Sequence, residues 1–189
     1  DRSVWNTYTV RGRASQSFGP SNWQELVLGL LDAGEVLLDD ITVIEEPDGL
    51  ARQLIQNGTF EEDSLGALPA SWRIIGNQHG QVVVDPQDPN NQVLHFSATG
   101  PTFNIGNKAD TTLKDGNTYV TIHSNWEYEV SLRAKWLRGS NQLNSRLYFN
   151  RVAKTFLLDV PQGNGTPGTE NSAFVGNIGP TYSSFTHQR

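Results

Sequence analysis

The sequence predicts an all-β fold, a β-sandwich, on three observations. Short runs of strand-forming residues recur along the chain, separated by Gly, Pro, Asn and Asp clusters at regular spacing. Within the longest run, Trp126, Tyr128, Val130, Leu132, Ala134 and Trp136 fall on one face of a strand and Glu127, Glu129, Ser131, Arg133 and Lys135 on the other. The chain also repeats itself: Tyr8 and Tyr128, Val10 and Val130, Arg13 and Arg133, Leu38 and Leu158, and Asp39 and Asp159 each lie 120 positions apart. The pairs Ser21/Ser140 and Asn22/Asn141 lie 119 apart, so the offset slips by one residue between segments. A nearly fixed offset is the mark of a duplicated module.

The elements follow in order. Residues 4–10 open as a strand, and Phe18-Gly19-Pro20 marks a connection. Residues 25–31 and 35–45 are two apolar runs around Asp32-Ala33-Gly34, a spacing that predicts a hairpin. Strict alternation in the second run places Leu37, Asp39, Ile41 and Val43 on one face, and Val36, Leu38, Asp40 and Thr42 on the other. Glu45-Glu46-Pro47-Asp48-Gly49 breaks the pattern and reads as a module boundary. Strand character resumes at residues 54–61, 72–76, 81–85 and 92–98, and Asp85-Pro86-Gln87-Asp88-Pro89-Asn90-Asn91 reads as a loop. Residues 104–113 are poorly patterned, whereas 119–122, 126–137, 146–149 and 154–160 are strand-like. The expected organisation is residues 1–47 as the C-terminal strands of a truncated module, 53–161 as a complete module, and 162–189 as a Gly/Pro-rich linker toward a further domain.

Composition narrows the function classes. The net charge is −6 with no basic run, which argues against a nucleic-acid partner. The chain has no cysteine, which excludes disulfides, thiolate metal sites and cysteine nucleophiles. No apolar run approaches the roughly 18 residues a membrane-spanning helix needs. His79, His95, His123 and His187 lack zinc-ligand spacing, and no nucleophile elbow, phosphate loop or dinucleotide fingerprint appears. The acids at Asp39/Asp40, Glu45/Glu46 and Glu61/Glu62 are adjacent in sequence, so in a strand they point apart and form no glycosidase pair. The expectation is a protein without catalytic activity.

Asn57-Gly58-Thr59-Phe60-Glu61, followed by Trp72, and a strand of the type Leu37-Leu38-Asp39-Asp40-Ile41 resemble the opening and closing motifs of carbohydrate-binding modules of the family 4/9 kind. Those are galactose-binding-like jelly rolls, so the resemblance implies a jelly-roll β-sandwich. In the second copy the closing motif is Leu158-Asp159-Val160, with one acid fewer. Gly165-Thr166-Pro167-Gly168-Thr169-Glu170-Asn171-Ser172 is similar to segments of very large bacterial surface proteins that also carry lamin-tail and CotH-type domains. The resemblance implies an extracellular or cell-surface protein whose module recognises a glycan beside neighbouring domains of the same chain. A structural or adhesive spacer with no sugar ligand is the alternative.

The resemblance also implies a structural calcium held between the first and last strands, at positions matching Glu61 and Asp159, with Thr59 near. Sugar rings stack on flat aromatic faces while polar side chains fix the hydroxyls. Trp136 at the end of its strand, with Arg133, Arg146 and Tyr148, is the expected ligand-binding set. Alternation equally makes Trp126 and Tyr128 core residues. A solvent-exposed aromatic platform is the feature that separates the glycan reading from the spacer reading.

Overall fold

In the computed structural model, the described residues are 4–102, 106–140 and 142–149, together with the backbone of two further strands at 152–159 and 184–185. Every regular element among them is a strand. In chain order these are β1 (Asn6–Arg13), β2 (Gln24–Leu30), β3 (Gly34–Glu45), β4 (Arg52–Gln53), β5 (Arg73–Ile75), β6 (Gln78–Asp85) and β7 (Asp88–Ala98). They continue with β8 (Lys108–Thr112), β9 (Lys114–Asp115), β10 (Thr118–Tyr119), β11 (Glu127–Gly139), β12 (Gln142–Phe149), β13 (Val152–Asp159) and β14 (Ser184–Phe185).

The strands form an antiparallel β-sandwich. One sheet has the order β14-β1-β11-β3-β7-β6, with β4 paired to β3, and the other has the order β13-β12-β2-β8-β5. Between them lies one apolar core, with Val10, Val36, Leu38, Tyr128, Val130, Leu132 and Trp136 from the first sheet and Leu26, Leu28, Leu30, Leu143 and Leu147 from the second. The alternation read in β11 is therefore its core face, with one exception. Trp126 precedes the strand and is 38% exposed, its ring 4.0 Å from that of His123.

The boundary expected after residue 47 falls between β3 and β4, and strands from its two sides interleave in both sheets. β1 lies against β11, β3 lies between β11 and β7, and β2 lies between β12 and β8. Positions related by the sequence offset lie side by side: Val10 is opposite Val130, 120 positions on, and Val27 is opposite Arg146, 119 positions on. The linker expected at 162–189 lies outside the described residues, apart from the backbone of β14.

Two local readings are corrected. Asp32-Ala33-Gly34 does not close a hairpin, because β2 and β3 belong to different sheets. It is an arch between the layers, and it meets the arch from β11 to β12 where the Ser140 amide donates to the Ala33 carbonyl at 2.8 Å. Gly139, with φ of +73°, and Gly34 allow this approach, since a Cβ on Gly34 would sit 2.5 Å from the Ser140 nitrogen. The strict alternation expected in β3 also fails, because Asp40 has a φ of +47° and the register against β11 shifts there. An Asp tolerates the left-handed region better than most residues, and the bulge advances the phase by one. Val36, Leu38, Ile41 and Val43 consequently all reach the core. The loop expected at residues 85–91 is shorter than its composition suggests: β7 begins at Asp88, opposite Asp85, and only then does the register shift.

The seam between β3 and the segment after β4 carries the opening motif. The Ile41 amide donates to the Gly58 carbonyl at 3.0 Å, the Leu54 amide donates to the Val43 carbonyl at 2.8 Å, and Phe60 is fully buried. The Trp72 indole donates to the Asn57 carbonyl at 2.9 Å, and its ring packs 6.2 Å from that of Phe60. The segment Asn57-Gly58-Thr59-Phe60 therefore closes against Asp39-Asp40-Ile41 of β3.

Candidate functional site

The face of the five-stranded sheet turned away from the core is polar, and the pairing register places its residues. Inner residues Leu26, Leu28 and Leu30 leave Glu25, Val27 and Gly29 on the outer face of β2. Residues directly opposite in an antiparallel pair share a face. One row therefore runs Tyr148, Glu25, Thr112, and the next runs Arg146, Val27, Asp110, Arg73. Gly29 admits the Thr102 side chain over this face: a Cβ there would sit 2.1 Å from the Thr102 hydroxyl.

At one end of this face is a cleft of about 330 Å³, with Trp23, Glu25, Ser71, Arg73, Asp110 and Thr112 among its lining residues. Trp23 is 46% exposed at the rim, just before β2 begins. Below it the charges are tightly paired. Arg73 donates to both Asp110 oxygens, at 3.1 and 2.8 Å, and Lys108 Nζ lies 2.8 Å from Asp110 and 3.9 Å from Glu25. Burial raises the Glu25 carboxyl above the ordinary glutamate range, and the neighbouring charge of Asp110 raises it further, against the opposing pull of Lys108 and Arg73. Chemically, the cleft offers a flat aromatic ring, carboxylate acceptors, guanidinium donors and threonine hydroxyls.

Farther along the same face, Arg146 is 6% exposed. One of its amino groups donates to the Thr102 hydroxyl at 3.3 Å, and its Nε has no hydrogen-bond partner. Burial lowers its pKa to about 10. Beside it in β12, Asn144 is fully buried with both side-chain amide atoms unpaired.

The ligand-binding set expected from the sequence is split by the fold. Arg146 and Tyr148 belong to the face that carries the cleft. Arg133 lies in the other sheet, where its guanidinium lies 3.3 Å from both Asp39 and Asp40 and stands 4.8 Å over the Trp5 ring. Trp136 is a correction: it is 2% exposed, points into the core, and donates its indole N–H to the Gly139 carbonyl. Its ring offers no surface platform, because the strand continues to Gly139 and Trp136 keeps the inward phase of β11. The sequence reading missed Trp23, Glu25, Arg73 and Asp110. Alternation in β2 does place Glu25 outward, but the poorly patterned stretch around Asp110 gave no strand phase to read.

At the seam where a calcium is implied, the Glu61 carboxylate accepts from the Gln92 amide at 3.0 Å, and the side chain of Asp159 lies outside the described residues. Asp39, 120 positions before Asp159, is buried and accepts from Asn91 at 3.1 Å as well as from Arg133, so the cation beside it is a guanidinium. No group of three or more metal-binding side chains occurs among the described residues.

A second concavity, of about 520 Å³, lies near the β3–β4 turn, lined by Leu50, Arg52, His123 and Trp126 among others. Its lining is mainly apolar. Behind it the Tyr128 hydroxyl donates to buried Glu45 at 3.0 Å, and Arg52 closes on the same carboxylate at 2.5 Å. No helix among the described residues is long and apolar enough to cross a membrane.

The fold and the site together define an antiparallel β-sandwich with a polar, Trp-rimmed cleft on one outer face. Set against protein-family models, curated proteins and solved structures, the chain matches none of them.

Proposed function

We propose that this protein is a non-catalytic carbohydrate-binding module and that the cleft on the five-stranded sheet is its glycan site. The observation that carries the reading is the half-exposed ring of Trp23 beside buried Glu25 and Asp110 and the exposed guanidinium of Arg73 that pairs with Asp110. A pyranose ring stacks on Trp23, carboxylate oxygens accept from its hydroxyls, and Arg73 with Thr112 completes the polar contacts. Ion pairing within the cleft holds these groups in place before a sugar arrives, which lowers the ordering cost of binding. The extracellular setting, the jelly-roll assignment and a calcium involving Glu61 and Asp159 belong to the same reading and rest on the motif resemblance.

The test is a glycan-array screen of the whole chain, run with calcium and again with chelator, followed by titration of the best hit. Trp23→Ala is expected to weaken binding at least tenfold, about 1.4 kcal/mol, while leaving the unfolding midpoint unchanged. Loss of binding on chelation would support the ion. A well-folded chain that binds no glycan would favour the structural spacer.

A further inference from the structure

The duplication and the strand order carry a second inference, independent of any sugar. The two copies of the repeat pair about an approximate twofold. Val10 faces Val130 in one sheet, and Val27 faces Arg146 in the other, each opposite its own equivalent. The symmetry stops at the third strand of each copy. β3 inserts between β11 and β7, whereas β13, its repeat equivalent, pairs among the described residues only with β12 at the margin of the other sheet. Yet the two strands share Leu37/Leu157, Leu38/Leu158 and Asp39/Asp159 at one offset. β3 also pairs with β11, the counterpart of β1, rather than with β1 itself. That is the geometry of a swapped element.

We propose that β1–β3 is an exchangeable arm: β13 can take the place of β3 between β11 and β7, and the displaced arm then fills the same slot in a second copy of this chain. The hinge is the turn after β3. There Glu46 and Ala51, neither of them glycine, are held at φ of +48° and +52°, and Leu50 is 94% exposed. Opening the turn releases that backbone strain, and strained hinge turns favour swapping. Reciprocal exchange closes a dimer, whereas one-way donation links copies head to tail and leaves the donor's slot to its own β13.

The chain contains no cysteine, so disulfide trapping reads the pairing without background. In the structure Glu35 lies opposite Ser97. Directly paired strand residues are close enough for a disulfide. The Glu35→Cys, Ser97→Cys double variant is expected to close within one chain. Mixing chains carrying Glu35→Cys alone with chains carrying Ser97→Cys alone is expected to give a linked species of roughly 42 kDa, twice the chain's 20.9 kDa. Thr155 is the repeat equivalent of Glu35, so Thr155→Cys with Ser97→Cys is expected to close within one chain as well. A mixture that stays unlinked while the Glu35/Ser97 double variant closes would overturn the proposal, as would a folded Thr155/Ser97 variant that never closes. Light scattering on the unsubstituted chain gives a check free of substitutions: mass should rise with concentration, and a monomer throughout overturns the proposal.

Discussion

Replacing Gly58 by Ala tests the central seam of the fold, where the opening motif meets β3. A Cβ at Gly58 would lie 2.0 Å from the Ile41 carbonyl oxygen and 3.0 Å from its carbon, so the obstacle is backbone rather than a side chain that could swing away. Restoring an ordinary contact of about 3.4 Å requires the two segments to part by roughly 1.4 Å. The Ile41 amide now donates to the Gly58 carbonyl at 3.0 Å, and the same displacement carries that pair beyond hydrogen-bonding reach. An unpaired buried amide costs about 1–3 kcal/mol, and strain in the packing around fully buried Phe60 adds to it. The expected total is about 2–3 kcal/mol, or a fall in Tm of about 4–12 °C for a chain of this size. Urea and thermal unfolding would measure it, with Gly19→Ala as the control, since a Cβ there meets nothing within 4 Å. A Gly58→Ala variant within about 0.5 kcal/mol of the control would mean that residues 57–60 do not pack on β3.

Three further outcomes follow from the same geometry. Leu38 is fully buried in the core, so Leu38→Ala should cost about 2–5 kcal/mol in urea unfolding; a smaller loss would argue that β3 is not the strand filling that slot. Glu25 has a carboxyl pKa raised on folding, so the native state holds its proton more tightly than the unfolded chain does, and stability falls as pH rises from the unfolded pKa through the folded one. Glu25→Gln should therefore raise the urea midpoint at pH 7 and lose that advantage at pH 3, and an equal effect at both values would contradict the burial argument. Arg146 has a pKa lowered to about 10 by burial, so its charge opposes folding once pH falls below the unfolded arginine value and continues to do so at pH 7. Arg146→Met should then stabilise the fold by about 1–3 kcal/mol, and a destabilised variant would show that the guanidinium has a strong partner.

How far the candidate site could be read in advance varied along the chain. β11 was legible because its phase is unbroken from Tyr128 to Trp136, and the same phase buries Trp136 rather than exposing it. In β3 the phase was legible only as far as Asp39, because the left-handed Asp40 inserts a bulge that hydrophobicity alone does not encode. Trp23 stands outside the strand it precedes, so no alternation governed its exposure. Asp110 joins the cleft only because β8 lies between β2 and β5. Arg146 and Tyr148 reached the right face because β12 alternates, but their neighbours come from strands remote in sequence.

By itself, the sequence determined the all-β class, the apolar stripe of β11 and the break in strand pattern after residue 45, since each depends on periodicity or breaker residues within one short segment. The tertiary structure alone decided which strands pair. It made an arch of Asp32-Ala33-Gly34, set β3 rather than β13 between β11 and β7, and brought Trp23, Glu25, Arg73 and Asp110 around one cleft. β3 and β13 share Leu37/Leu157, Leu38/Leu158 and Asp39/Asp159 at one sequence offset, so local pattern does not choose between them. The choice falls to the packing of the whole core.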